Sequence, residues 1–135
     1  MKYLGVDYGA KRVGVAISND EGTIAFPRAT IANDEKLVAL IVQMIEEEKI
    51  GAVVVGDTRT VSGAANPISA EADAFIEELE RVSGVSVKRS FEGWSYIEAS
   101  RYAPRGKEHD DAAAAAIILQ RFLDMHKSPE RSTDK

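Results

Sequence analysis

At 135 residues, with 44% apolar and 29% charged residues, the chain has the length and composition of one ordinary globular domain. It contains no cysteine, which excludes disulfides, thiolate zinc sites, iron–sulfur clusters and cysteine nucleophiles. Its 17 basic and 22 acidic residues leave a formal charge of −5, which argues against bulk adhesion to nucleic acid but leaves room for a local basic patch.

Residues 2–8 alternate and are rich in Tyr, Leu and Val, Gly9-Ala10 make a turn, and residues 12–18 read as a second strand, which makes a hairpin. A turn at Asn19-Asp20-Glu21-Gly22 leads into a third strand over 23–31, whose Pro27 belongs at a sheet edge. The period then changes from 2 to 3.6. Leu37, Leu40, Ile41, Met44 and Ile45 share one helical face, with Asn33 as the expected N-cap and Glu46-Glu47-Glu48 as a solvated helix end. The continuously apolar run 52–55 has the pattern of a strand covered on both faces. A polar loop over 57–67 precedes a second helix carrying Ile68, Ala72, Phe75, Ile76, Leu79 and Val82, which Gly84 stops. A fifth strand over 85–91, a short helix over 94–101 and a last helix over 110–125 follow. Residues 1–126 form a single domain, and the charged segment 127–135, without apolar anchors, is expected to be a disordered tail.

This order predicts an α/β fold. Helix-linked strands run parallel with right-handed crossovers, so the simplest sheet is five-stranded and mixed, in the order 3-2-1-4-5, with helices on both faces. Ligands bind such sheets outside the carboxyl ends of the parallel strands. No basic leader opens the chain and no stretch approaches membrane-spanning length, so a cytoplasmic protein without membrane attachment is expected.

Acidic residues gather at that edge: Asp7, Asp57 and Glu92 each follow an apolar strand, and the Asp110-Asp111 pair opens the last helix. Clustered carboxylates repel unless a cation lies between them, and magnesium prefers oxygen ligands of this kind. Two such ions can activate a water and stabilise a leaving oxygen in phosphodiester hydrolysis. Helix capping accounts equally well for Asp110 or Asp111, and a turn for Asp57. Asp7 is harder to explain structurally, because a carboxylate in an apolar central strand is costly to bury.

Gly5, Asp7, Gly9, Gly14 and Ala16 form the pattern G-x-D-x-G-x-x-x-x-G-x-A, in which a glycine turn lets backbone amides approach an anion and Lys11-Arg12 add positive charge. Phosphate-binding hairpins of sugar kinases and actin-like ATPases look similar, which leaves an ATP-dependent phosphotransferase as a lesser alternative. Lys88, Arg89, Arg101, Arg105 and Lys107, together with Lys11, Arg12 and Arg59, are candidates to rim the acids and receive a phosphate backbone. Trp94 and Tyr96 are candidates for stacking on unpaired bases, with packing the commoner use of such rings, and His109 for orienting a water.

The opening GVDYGAKRVGVAIS, the VVVG strand followed by SGAANPISAEADAFIEEL, and the closing DDAAAAAIILQRFLD together resemble the YqgF family, relatives of the RuvC resolvases within the RNase H-like superfamily. The resemblance covers about residues 1–124. It implies an RNase H-like fold and a nuclease dependent on Mg2+ or Mn2+, acting on structured RNA in 5′-end maturation of the 16S ribosomal RNA precursor. It assigns Asp7, Glu92 and Asp111 as catalytic metal ligands, Asp111 matching better than Asp110. Asp57 and Asp110 are additional candidate ligands, and Gly9, Lys11, Arg12, Arg59, Arg89 and Arg105 candidate nucleic-acid contacts. Where the family shows Asp-Glu-Arg this chain reads Phe91-Glu92-Gly93, and where the family commonly shows Gly-Leu-Pro it reads Gly56-Asp57-Thr58. Two alternatives follow: a branched-DNA endonuclease like the Holliday junction resolvases, and a non-catalytic RNA-processing or ribosome-assembly factor. The expected partners are nucleic acid and a ribosomal precursor particle, with the protein a monomer or homodimer.

Overall fold

Strand patterning in the first third of the chain produces a meander of β1 (Tyr3–Tyr8), β2 (Arg12–Ser18) and β3 (Ala25–Ala32). The chain then alternates α1 (Leu37–Glu48), β4 (Ala52–Gly56), α2 (Pro67–Ser83) and β5 (Ser86–Ser90), and α3 (Asp111–Thr133) closes the order. The computed structural model describes the backbone of residues 1–56, 67–90 and 111–133, and side chains within 1–56, 70–90 and 111–125. The five strands form one sheet in the order β3-β2-β1-β4-β5. β1 pairs antiparallel with β2 and parallel with β4, so the sheet is mixed as expected. Among the described residues no helix is long and apolar enough to cross a membrane.

The two faces of the sheet are built from different residues. On one, Leu4, Val6 and Tyr8 of β1 and Val53 and Val55 of β4 meet Ile41 and Ile45 of α1 and Phe75 and Leu79 of α2, all buried. Burial of side chains of this size contributes about 1.5–3 kcal/mol each before chain entropy is subtracted. The alternate residues face α3 and are mostly small, Gly5, Gly14, Ala16, Val54 and Gly56, with Tyr3 the large exception at the start of β1. Ala114 and Ala115 of α3 let the helix descend onto this surface, and Ile118, Leu119 and Phe122 anchor it. A Cβ on Gly5 would lie 2.7 Å from Leu119 Cβ, so helix and strand are in direct contact there. Gln120 reaches from α3 to the sheet edge, accepting from the Ala25 amide at 2.8 Å and donating to the Thr23 carbonyl at 3.0 Å.

Several local readings change. β3 begins at Ala25, not at Thr23, because Asn19 Oδ1 accepts the amides of Thr23 and Ile24 at 2.8 and 3.1 Å and keeps both in the turn. Pro27 does sit on the edge strand, beside a register shift that leaves Arg28 without an opposite residue on β2. Asn33 is not the N-cap of α1: that position is Lys36, with no side-chain cap, while Asp34 Oδ1 accepts the Lys36 amide at 2.9 Å. Leu40 is 39% exposed, outside the buried stripe of Leu37, Ile41 and Ile45. The backbone of α3 continues to Thr133. The helix expected over 94–101 and the loop at 57–66 lie outside the described residues.

A polar tie joins three elements at the opposite end of the sheet from the carboxyl end of β1. Lys2 Nζ lies 3.1 Å from Glu48 Oε1, and Arg28 Nη2 lies 3.5 Å from Glu48 Oε2. The Lys2 hydrogen bond, and then its charge, hold the Glu48 carboxyl below its ordinary value. A lowered folded-state pKa stabilises above the unfolded value and stops doing so as pH falls through the folded one. Glu48→Gln is therefore expected to lower the melting temperature at neutral pH, and the gap from the parent should close below the ordinary glutamate pKa of about 4.5. Thermal melts between about pH 3 and pH 7 check this; a gap that persists in acid would show that charge is not its source.

Candidate active site

Asp7 lies near the end of β1, beside β2. It pairs across the ladder with Gly14, and it lies two residues beyond Gly5, so it projects on the α3 side of the sheet. The residue is 2% exposed and its Oδ2 is fully shielded from water. An ionised carboxylate at that depth requires compensating cations or donors. Above Gly14 lies the first turn of α3: a Cβ on Gly14 would collide with the carbonyl oxygen of Asp111. The missing side chain therefore brings the helix start down onto β2, directly beside the strand position that faces Asp7. Asp111 is 8% exposed and occupies the first turn of α3, where the helix dipole favours negative charge.

Arg12 completes this group. Its Nε donates to Asp111 Oδ2 at 2.8 Å; the arginine side chain is 55% exposed and the aspartate side chain 10%. A charge-assisted bond of this length is among the stronger kinds, though screening on the exposed side keeps its contribution to stability near or below about 1 kcal/mol. The turn between β1 and β2 is braced from elsewhere. Asn33 donates from Nδ2 to the Gly9 carbonyl at 2.7 Å, and its amide donates to the Lys11 carbonyl at 3.0 Å. A Cβ on Gly9 would come 2.5 Å from the Arg12 carbonyl oxygen, so this tight turn needs glycine. Sequence reasoning missed this role of Asn33, since an Asn just before a helix carries the same signature as a cap.

Of the expected site residues, the structure thus brings Asp7, Asp111 and Arg12 to one end of the sheet, with Gly9 and Lys11 in the adjoining turn. Arg89, level with Val55 at that same end, is on the other face: it shares the parity of Val87 on β5, on the α2 side of the sheet, and its Nη1 is 2.7 Å from Asp73 Oδ1 of α2. Asp57, Arg59, Glu92, Trp94, Tyr96, Arg105, His109 and Asp110 lie outside the described residues. Among the described residues, no group of three or more His, Asp or Glu side chains is placed to hold a metal ion. The two acids that do converge offer hard oxygen donors in a largely dry setting at a helix start, a donor set that fits magnesium or manganese and not a thiophilic metal.

Comparison with known proteins gives this geometry relatives. A family model described as "RuvX: Holliday junction resolvase" matches residues 1–125. A protein of Oleidesulfovibrio alaskensis named "Putative pre-16S rRNA nuclease" is 34% identical over 134 residues, covering 93% of each chain. One of the same name from Anaeromyxobacter is 36% identical over 133 residues, covering 92% of this chain and 97% of its own. The structure of T. thermophilus RuvC in complex with a Holliday junction substrate superposes with a TM-score of 0.63 at 17% identity, covering 95% of this chain and 97% of that one.

If the open space over Gly14 is what seats α3, then Gly14→Ala should cost about 1–3 kcal/mol, the range for overpacking against backbone. Denaturant unfolding measures the loss. Gly84→Ala serves as a comparison of a different kind, since no atom lies within 4 Å of a Cβ there and only its positive φ would be strained. A Gly14→Ala variant as stable as the parent would mean that the helix start can lift without penalty.

Proposed function

The chain belongs to the RuvX family, and from that premise we propose that it is a divalent-metal-dependent nuclease that hydrolyses phosphodiester bonds in structured RNA, with the 16S ribosomal RNA precursor as substrate. The observation that carries the reading is the convergence of Asp7 and Asp111 on Gly14 at the carboxyl end of β1. Two largely buried acids in one place are costly to a fold, whereas metal-dependent phosphodiester hydrolysis uses such a pair as ligands. Asp7 and Asp111 would hold the cation, Mg2+ or Mn2+, with Glu92 as the third ligand and Asp57 and Asp110 as further candidates. A divalent ion at such acids supplies the positive charge that activates water and stabilises a leaving oxygen.

The chain's own residues would do the rest. β1 fixes the Asp7 carboxylate through the sheet ladder, and the α3 contact at Gly14 fixes Asp111. The turn from Gly9 to Arg12, braced by Asn33, presents backbone amides and the Lys11 and Arg12 cations toward a phosphate backbone, with Arg59 and Arg105 extending that surface. Action on ribosomal RNA would place the protein in the cytoplasm, on a precursor particle.

The family description favours a second reading, cleavage of branched DNA. Purified protein assayed on precursor 16S rRNA and on a four-way DNA junction, with magnesium, manganese or chelator, separates the two. RNA cleavage is expected with either metal and none with chelator. Asp7→Asn should reduce cleavage to background while a thermal melt shows the variant still folded. Equal metal-dependent cleavage by that variant would reject the assignment of Asp7. Junction cleavage with intact RNA would select the second reading, and RNA binding without turnover, unaffected by chelation, would mark a non-catalytic assembly factor.

A further inference from the structure

We propose that Arg12 is a resident counter-cation of the acid pair, which holds Asp111 while no divalent ion is bound and passes to a nucleic-acid phosphate when one arrives. The inference rests on the reading of Asp7 and Asp111 as cation ligands, and it adds a coupling that the reading does not contain.

The argument begins with the shared oxygen. Arg12 Nε donates to Asp111 Oδ2 at 2.8 Å. A divalent ion on the same carboxylate would stand within a few ångströms of the guanidinium, and two cations at that separation repel strongly in a poorly solvated setting. Each weakens the hold of the other. The structure shows which partner has room to move: the Asp111 side chain is 10% exposed and its backbone is pressed against β2 at Gly14, whereas the Arg12 side chain is 55% exposed. The carboxylate stays and the arginine swings.

Its destination follows from its place in the fold. Arg12 opens β2 directly after the turn at Gly9, at the carboxyl end of β1 where substrate would approach. A planar guanidinium with several donors suits phosphate oxygens, and a released one would lie beside the acids, at the mouth of the site. Metal binding would therefore free Arg12 for phosphate, and phosphate would draw Arg12 away and open Asp111 to metal. Linkage makes the effect reciprocal, so each ligand should strengthen binding of the other. Until then Arg12 offsets one of two negative charges that would otherwise face each other uncompensated.

The test measures Mn2+ affinity of the full chain by electron paramagnetic resonance of the free ion, without nucleic acid. Wild type, Arg12→Gln, Arg12→Lys and Asp7→Asn are compared, with a thermal melt confirming that each is folded. Arg12→Gln is expected to bind Mn2+ about fivefold or more tightly than wild type, at the low end of usual coupling strengths, and Arg12→Lys to stay near wild type. Asp7→Asn should bind much more weakly than any of them. Equal or weaker binding by Arg12→Gln, with Asp7→Asn impaired, would overturn the proposal and leave Arg12 as a residue that positions Asp111. Wild-type affinity in Asp7→Asn would instead remove the metal reading of the site.

Discussion

The contact on which the site depends is the one between the start of α3 and β2, and it exists because residue 14 has no side chain. Where a Cβ would stand, the carbonyl oxygen of Asp111 already lies. That approach joins the end of the polypeptide to its beginning, and the Arg12 to Asp111 bond spans 99 positions of sequence. Closing so long a loop costs little more than closing one of half the length, but the contact must still be held by something stronger than one exposed ion pair. The apolar stripe of α3 supplies it. Ile118, Leu119 and Phe122 are buried against the sheet, and the Tyr3 and Phe122 rings meet with centroids 5.8 Å apart. The position of the acids is thus set by packing several turns away from them.

The division between the two sheet faces follows from the same requirement. Large branched side chains fill the space toward α1 and α2, where the Tyr8 and Phe75 rings lie 5.0 Å apart. Small residues line the face toward α3, so helix backbone comes close enough to bring its first turn level with Asp7. A bulkier row there would lift α3 and separate the acids without disturbing the strand order. The fold and the site are in this sense set by alternate residues of the same strands. One parity of β1 makes the core, and the other carries Gly5 and Asp7.

That alternation explains what could be read from the amino-acid order and what could not. Strand order and direction were legible because the period changes near residue 33, and because Val53-Val54-Val55 is apolar on both parities, as a strand covered on both faces must be. Asp7 was legible as a single acid inside an apolar strand. The partner of Arg12 was not, because a contact between the first hairpin and the last helix leaves no periodic trace. Asn33 was misread for a related reason: the same residue type caps a helix by accepting through Oδ1 or braces a turn by donating from Nδ2, and only the distant Gly9 carbonyl decides. Arg89 was singled out by composition, and its shared parity with Val87 puts it on the α2 face, where Asp73 meets it.

Stability accounts for the two acids unequally. A valine at position 7 would fit the packing of a central strand at least as well as a carboxylate, and replacing a buried charge by an apolar group of similar volume is often neutral or stabilising. Asp111 has a local rationale, since the start of a helix favours an anion. Asp7 is not at a helix start: it is interior, paired across the ladder with Gly14, and ladder bonds do not involve its side chain. Position and chemistry then point the same way. The costly choice falls where two backbone segments are brought close together, and departures from local consistency of this kind are expected at functional positions. The glycine at position 14 and the aspartate at position 7 are two halves of one device, the first admitting the helix and the second facing what the helix brings.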